Sequence, residues 1–184
     1  MNRNPIFVRN IRNLTDARYF AAMEVDWISL ELNVEHATFS KWHTMRDWIS
    51  GVKLAAEVIN GEESLISKII IDANPDGMVC QNLDFLHLTG GIDLFLVSEN
   101  LNSIEMNALI THIVPYHFYI AEPDLFQPVS KGNIYLEANW TTDSIAGLKS
   151  SGYSGGICFS GGEESAVGVR DFSLVDEMIE LIRR

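Results

Sequence analysis

Arg9, Glu31, Glu57 and Glu137 are charged residues placed where a charge needs a reason. Each stands in or at the end of a short apolar or β-branched run that predicts a strand, and strands of a parallel sheet are buried on both faces. Strand parity sorts them. In 27–32, Ile28, Leu30 and Leu32 share one face and Trp27, Ser29 and Glu31 the other. In the next run, Leu54, Ala56 and Val58 oppose Lys53, Ala55 and Glu57; later, Ile134, Leu136 and Ala138 oppose Tyr135, Glu137 and Asn139. The apolar faces are expected to meet helices and the mixed faces to line the interior of a barrel. The three carboxylates then lie near its C-terminal mouth, where barrels of this kind carry their active sites. Arg9, closing the first strand, joins them. Two chemistries follow: a buried, paired Arg–carboxylate cluster that plugs the mouth, or a remodelled pocket in which these four residues are the catalytic candidates.

Ser160-Gly161-Gly162 is the second stretch with chemical content. Glycines let backbone N–H groups approach an anion closely, which makes this a candidate phosphate cradle. The same residues equally suit a tight turn that needs positive φ. The five histidines, His36, His43, His87, His112 and His117, lack ligand spacing such as H-x-x-x-H, so no metal site is expected. Cys80 and Cys158 are expected as small core residues. Trp42 and Trp48 lie six apart and share no clean helical face; they fit a cover for the barrel or a subunit contact. Glu62-Glu63 and Glu163-Glu164 are expected to be solvated.

Eight strand-like runs would position these groups: 6–11, 27–32, 52–59, 77–81, 93–98, 117–120, 133–138 and 156–160. Helical stretches alternate with them at 14–24, 39–49, 62–70, 103–110, 142–149 and 172–182, with Asn13, Thr141 or Thr142, and Asp171 as N-caps. The stretch 83–88 makes a poor helix, and almost none follows the sixth strand. Alternating strands and helices imply a parallel sheet with right-handed crossovers. Eight units point to a compact α/β (β/α)8 TIM barrel with short or missing helices after strands 4 and 6, against an open doubly wound sheet as the competitor. The 184 residues suit one domain, 1–184, with no linker or repeat to divide it.

Composition narrows the function classes. There are 13 Lys and Arg against 25 Asp and Glu, a formal net charge of −12. Nucleic-acid affinity rests on basic residues neutralising phosphates, so no nucleic-acid partner is expected. No apolar run reaches the about 18 residues that span a bilayer, and the N-terminal MNRNPIFVRN lacks the apolar core of a signal peptide. No membrane association is expected, and two cysteines outside any C-x-x-C pair fit a reducing cytoplasm.

Residues 6–32, IFVRNIRNLTDARYFAAMEVDWISLEL, are similar to the opening of phosphoribosylanthranilate isomerases, where K-I-C-G-I-T runs into N-L-E-D-A, a helix and G-A-D-x-I-G-F-V-F. Asn13, Leu14, Asp16 and Ala17 match, and Asp26 and Ile28 fall in register. Residues 155–184 resemble the family ending G-V-D-V-S-S-G-V-E-x-x-P-G-x-K-D and its final helix, through Ser160, Gly162, Glu164, Gly168, Arg170 and Asp171. Between them, 136–149 can be laid on L-S-G-G-L-N-P-E-N-V. About a third of the chain carries the resemblance.

The resemblance implies a TIM barrel, an Amadori rearrangement of a phosphoribosyl amine in tryptophan biosynthesis, and no cofactor. It implies a cysteine base after strand 1, an aspartate acid after strand 6 and a glycine-built phosphate site after strands 7 and 8. Here the cysteine falls on Arg9, whose guanidinium stays protonated and cannot act as the base. The aspartate falls near Ala121, with Glu122 one step away. The V-Q-L-H-G of strand 4 becomes Met78-Val79-Cys80-Gln81-Asn82, and the glycine pair after strand 7 becomes Ala138 and Asn139. Only Ser160, Gly161 and Gly162 keep part of the phosphate cradle. Three readings remain: a non-catalytic or regulatory barrel (a pseudoenzyme); a diverged enzyme or binder of a phosphorylated small molecule; and a working isomerase, of the aldose–ketose type. The oligomeric state is left open.

Overall fold

The computed structural model describes residues 3–33, 36–58, 62–81, 91–97, 117–121, 134–161 and 171–184. Eight strands run through them: β1 (Ile6–Arg9), β2 (Trp27–Glu31), β3 (Lys53–Val58), β4 (Gly77–Cys80), β5 (Asp93–Val97), β6 (His117–Ala121), β7 (Ile134–Glu137) and β8 (Gly156–Ser160). Each pairs in parallel with the next, and β8 returns to pair with β1 from Ile6↔Ile157 to Arg9↔Ser160, which closes the barrel and excludes the open doubly wound sheet. The helices are α1 (Leu14–Ala22), α2 (His36–Trp48), α3 (Glu63–Ala73), α4 (Thr142–Ser150) and α5 (Ser173–Arg183). The expected short or missing helices after β4 and β6, the poor helix at 83–88 and the helix at 103–110 all lie outside the described residues.

Local chemistry sets the ends of these elements. Asn13 caps α1 by accepting from the Asp16 N–H at 2.8 Å, and Thr141 opens α4 in a reciprocal capping box with Ser144. β1 stops at Arg9 rather than Ile11 because Asn10 takes a left-handed φ of 55°. α2 starts at His36, three residues before the expected Phe39. α3 runs on past Ile70 to Ala73 and stops where Asn74 turns left-handed. The N-cap of α5 is Phe172 rather than Asp171, and Asp171 reaches across to accept from the Ser173 N–H at 2.9 Å.

The strand parity divides the core into two layers. Ile28, Leu30, Leu54, Ala56, Ile134 and Leu136 pack outward against the helices with Phe20, Trp42, Ile66 and Ile179. Phe7, Trp27, Ala55, Val79, Phe95, Tyr135 and Cys158 fill the barrel interior. Aromatic rings dominate that interior: Phe95 sits 4.7 Å from Phe7 and 4.9 Å from Trp27 between ring centres. Two inward glycines make room for them. A Cβ on Gly77 would lie 2.8 Å from the Trp27 ring, and one on Gly156 would lie 2.2 Å from Tyr135.

Candidate functional site

Above the aromatic layer, at the C-terminal ends of the strands, the interior turns polar. Arg9 enters from β1 and is only 7% exposed. Its Nη1 donates to Glu137 Oε2 at 2.5 Å, and its Nη2 donates to Glu57 Oε1. Glu57, 3% exposed, also accepts from the Ser29 hydroxyl at 2.8 Å. The Asn10 N–H donates in turn to Ser29 Oγ at 3.3 Å, which ties the left-handed turn after β1 to β2. Groups from β1, β2, β3 and β7 thus meet in one buried network. Its members differ in access, because the Glu137 side chain keeps 23% of its surface exposed while that of Glu57 keeps 4%.

Electrostatics follow from this packing. Burial alone lowers the Arg9 pKa, but the charges of Glu57 and Glu137 outweigh it and push the value above the ordinary guanidinium. Burial pushes the Cys158 thiol well up, and Glu137 adds to the shift. Cys158 is therefore a neutral group beneath the guanidinium rather than a thiolate. The Nε of Arg9 is buried and has no hydrogen-bond partner among the described residues.

Three of the four charged candidates come together. Glu31 does not join the network among the described residues: it pairs in register with Glu57 but leaves its side chain in solvent at the end of β2. Lys53 and Asp93, on the inward faces of β3 and β5, meet at the opposite end of the barrel at 3.1 Å. Ser29 and Cys158 belong to the site without having been singled out from sequence. Their signal was parity, since Ser29 shares the face of Glu31 and Cys158 that of Ser160. Trp140 is another addition: its indole N–H donates to the Cys158 carbonyl at 2.8 Å and pins the turn after β7 against β8.

Ser160 ends β8 exposed, opposite Arg9 in register. The Gly161 N–H donates to the Arg9 carbonyl at 2.6 Å, and a Cβ there would lie 2.6 Å from the Asn10 carbonyl oxygen. Close approach of the ends of β1 and β8 therefore requires this glycine, with no positive φ involved. Gly162 and Glu122 lie outside the described residues. Among the described residues no group of three His, Cys, Asp or Glu side chains could hold a metal ion, and no helix is long and apolar enough to cross a membrane.

The guanidinium cannot take up a proton, and each flanking carboxylate gives an oxygen to it. The arrangement is suited to holding the strand ends together. Any proton transfer at the mouth would fall to Glu137, the more accessible carboxylate of the pair.

Solved structures share this architecture. Phosphoribosylanthranilate isomerase from Thermotoga maritima superposes with a TM-score of 0.70 over 98% of both chains at 11% identity. A phosphoribosylanthranilate isomerase in complex with reduced 1-(o-carboxyphenylamino)-1-deoxyribulose 5-phosphate does so with 0.70 over 98% of both at 12% identity. A truncated 3-deoxy-D-arabino-heptulosonate 7-phosphate synthase from Thermotoga maritima reaches 0.65 over 99% of this chain and 86% of its own, at 14% identity. No protein-family model and no curated protein sequence matches the chain. At these identities the likeness is one of fold: this chain is a barrel of the kind found in phosphoribosylanthranilate isomerases.

Proposed function

We propose that this chain keeps the isomerase barrel without the isomerase chemistry and acts as a non-catalytic, structural or regulatory protein of the cytoplasm. The observation that carries this reading is Arg9. At the end of β1, where the resemblance implies the cysteine base, stands a guanidinium held between Glu57 and Glu137. A cation fixed there by two carboxylates offers no proton acceptor for the C2 proton of a phosphoribosyl amine. Purified protein incubated with phosphoribosylanthranilate is expected to leave the substrate unchanged, and the gene is expected not to rescue a tryptophan-requiring isomerase mutant. Turnover in the first assay or growth in the second would overturn the reading.

A second reading is a diverged binder of a phosphorylated small molecule. It is supported by the exposed Ser160 at the mouth and by the fold-mate that binds a ribulose 5-phosphate derivative. Any ligand of the native state raises its apparent stability, by about 2.7 kcal/mol at 100 times Kd. Thermal-shift measurements with ribose 5-phosphate, ribulose 5-phosphate and sulfate separate the two readings: a saturable rise in Tm supports the binder, and a flat response supports the plugged mouth.

A further inference from the structure

The outer wall of the barrel carries a groove unrelated to the mouth. It runs between α2 and α3, encloses about 570 Å³ and is lined by Phe39, Ser40, His43, Thr44, Asp47, Lys68 and Asp72. That volume lies within the range of sites that bury a ligand group. Its floor is the half-buried ring of Phe39, with Lys68 Nζ 5.5 Å above the ring centre. Asp47 and Asp72 stand exposed on facing helices. An exposed apolar side chain stands at its edge as well. Only three large hydrophobic side chains are prominently exposed among the described residues, Trp48 at 63%, Ile71 at 77% and Leu174 at 53%. One of these borders the groove: Ile71 is one turn from Lys68 and next to Asp72 on α3, whereas Trp48 turns to the α1 side, where the Arg18 guanidinium lies 4.7 Å over its ring.

We infer that the α2–α3 groove docks a basic segment of a partner protein, one that sets an apolar side chain against Ile71 at the groove's edge and Lys or Arg against Asp47 and Asp72, beyond the reach of Lys68 on the Phe39 ring. Charge selects this occupant. The chain has a formal net charge of −12, so a second copy meets long-range repulsion while a cationic segment is steered in. The geometry matches the helix-in-groove mode of recognition, in which apolar anchors give affinity and flanking charges give register. The groove lies on the outer helices, and the inference stands whether or not the mouth is catalytic.

The test uses the full chain and a fluorescently labelled 18-residue Lys/Leu amphipathic peptide, with a Glu/Leu peptide of the same pattern as control. Anisotropy at physiological salt is expected to show saturable binding of the Lys/Leu peptide alone. The double substitution Asp47→Asn/Asp72→Asn and the single Ile71→Ser are each expected to weaken binding about tenfold, as is typical of an interface hot spot. The double substitution Glu177→Gln/Glu180→Gln on α5 removes the same amount of charge and is expected to leave affinity unchanged. Circular dichroism confirms that each variant is folded. No binding of the Lys/Leu peptide, or equal weakening by the α5 pair, would overturn the inference, the latter by showing attraction to net charge alone. A dimer in sedimentation that Ile71→Ser dissociates would also overturn it, because the occupant would then be a second copy.

Discussion

At the N-terminal ends of the strands, three aspartates each meet a basic side chain near solvent. Asp26 pairs with Arg3 at 3.2 Å, Asp76 with Arg46 at 2.8 Å and Asp93 with Lys53 at 3.1 Å. Asp26 also accepts from the Ile6 N–H and Asp76 from the Leu54 N–H, so two of these carboxylates cap strand ends. At the C-terminal ends a guanidinium and two glutamates meet mostly out of water, with Arg9 and Glu57 almost wholly buried. Water screens the first set, and each pair contributes about 0–1 kcal/mol. The second set has lost its hydration and depends on its own geometry. Interchangeable pairs at one end and an interdependent cluster at the other suggest that only the mouth is constrained as a unit.

Removing one member should expose that difference most sharply. Arg9→Met leaves Glu57 buried without its counter-charge and is expected to cost about 3–5 kcal/mol in urea unfolding. Replacing the cluster together, as Arg9→Met/Glu57→Leu/Glu137→Leu, is expected to recover most of that loss, because well-packed apolar groups often match or exceed a buried ion pair. Recovery would mean that stability alone does not require the charges at the mouth. A triple variant as unstable as the single one would make the cluster a structural necessity.

The aromatic layer between the two ends answers to shape instead of charge. Gly156→Ala puts a methyl group 2.2 Å from the Tyr135 ring, and Gly77→Ala puts one 2.8 Å from both Trp27 and the Asp93 carbonyl. Each is expected to cost about 1–3 kcal/mol by overpacking. A stability loss at Gly156 as small as that of a surface substitution would show that the ring can shift, and that the interior is looser than its contacts imply.

The fold was legible in the sequence because a strand buried on both faces still keeps its period of two. Trp27, Ala55 and Tyr135 were assigned to the interior, and Leu30, Ala56 and Leu136 to the helix side, from alternation alone; both layers have that membership. Position at the end of the first strand brought Arg9 toward Glu57 and Glu137. Parity placed Glu31 on the right face but carries no information about height along the barrel. Glu31 ends β2 and projects into solvent, whereas Glu57 is followed by Val58 and stays inside. Ser29 was placed on the inward face by the same parity, but its role was not legible, because only the nearby Glu57 carboxylate gives a strand serine one. The left-handed Asn10 was hidden because β-branched Ile11 follows it and reads as an extension of the apolar run Ile6-Phe7-Val8.

At the screened end, Lys53→Met removes the pair with Asp93 and the contact of Nζ with the Trp27 ring, 4.6 Å from its centre. The lysine is largely exposed, so the expected loss is at most about 1 kcal/mol and shrinks as salt is raised. A loss as large as that of Arg9→Met would erase the contrast between the two ends.

A smaller effect separates a solvated carboxylate from the buried ones. Asp171 is fully exposed before α5, and hydrogen bonds from the Ser173 hydroxyl and N–H lower its pKa. A carboxylate with a depressed folded-state pKa contributes stability that is present above its unfolded value, about 3.9, and lost as pH falls through the folded value. Wild type should therefore be slightly more stable than Asp171→Ala at neutral pH, with the gap closing only in acid. Carboxyl-carbon NMR titration should place the Asp171 midpoint below the ordinary aspartate range. A midpoint at the ordinary value would mean that Ser173 does not hold the carboxylate in solution. The start of α5 would then rest on the packing of Phe172 against Tyr19, whose ring centres lie 3.7 Å apart.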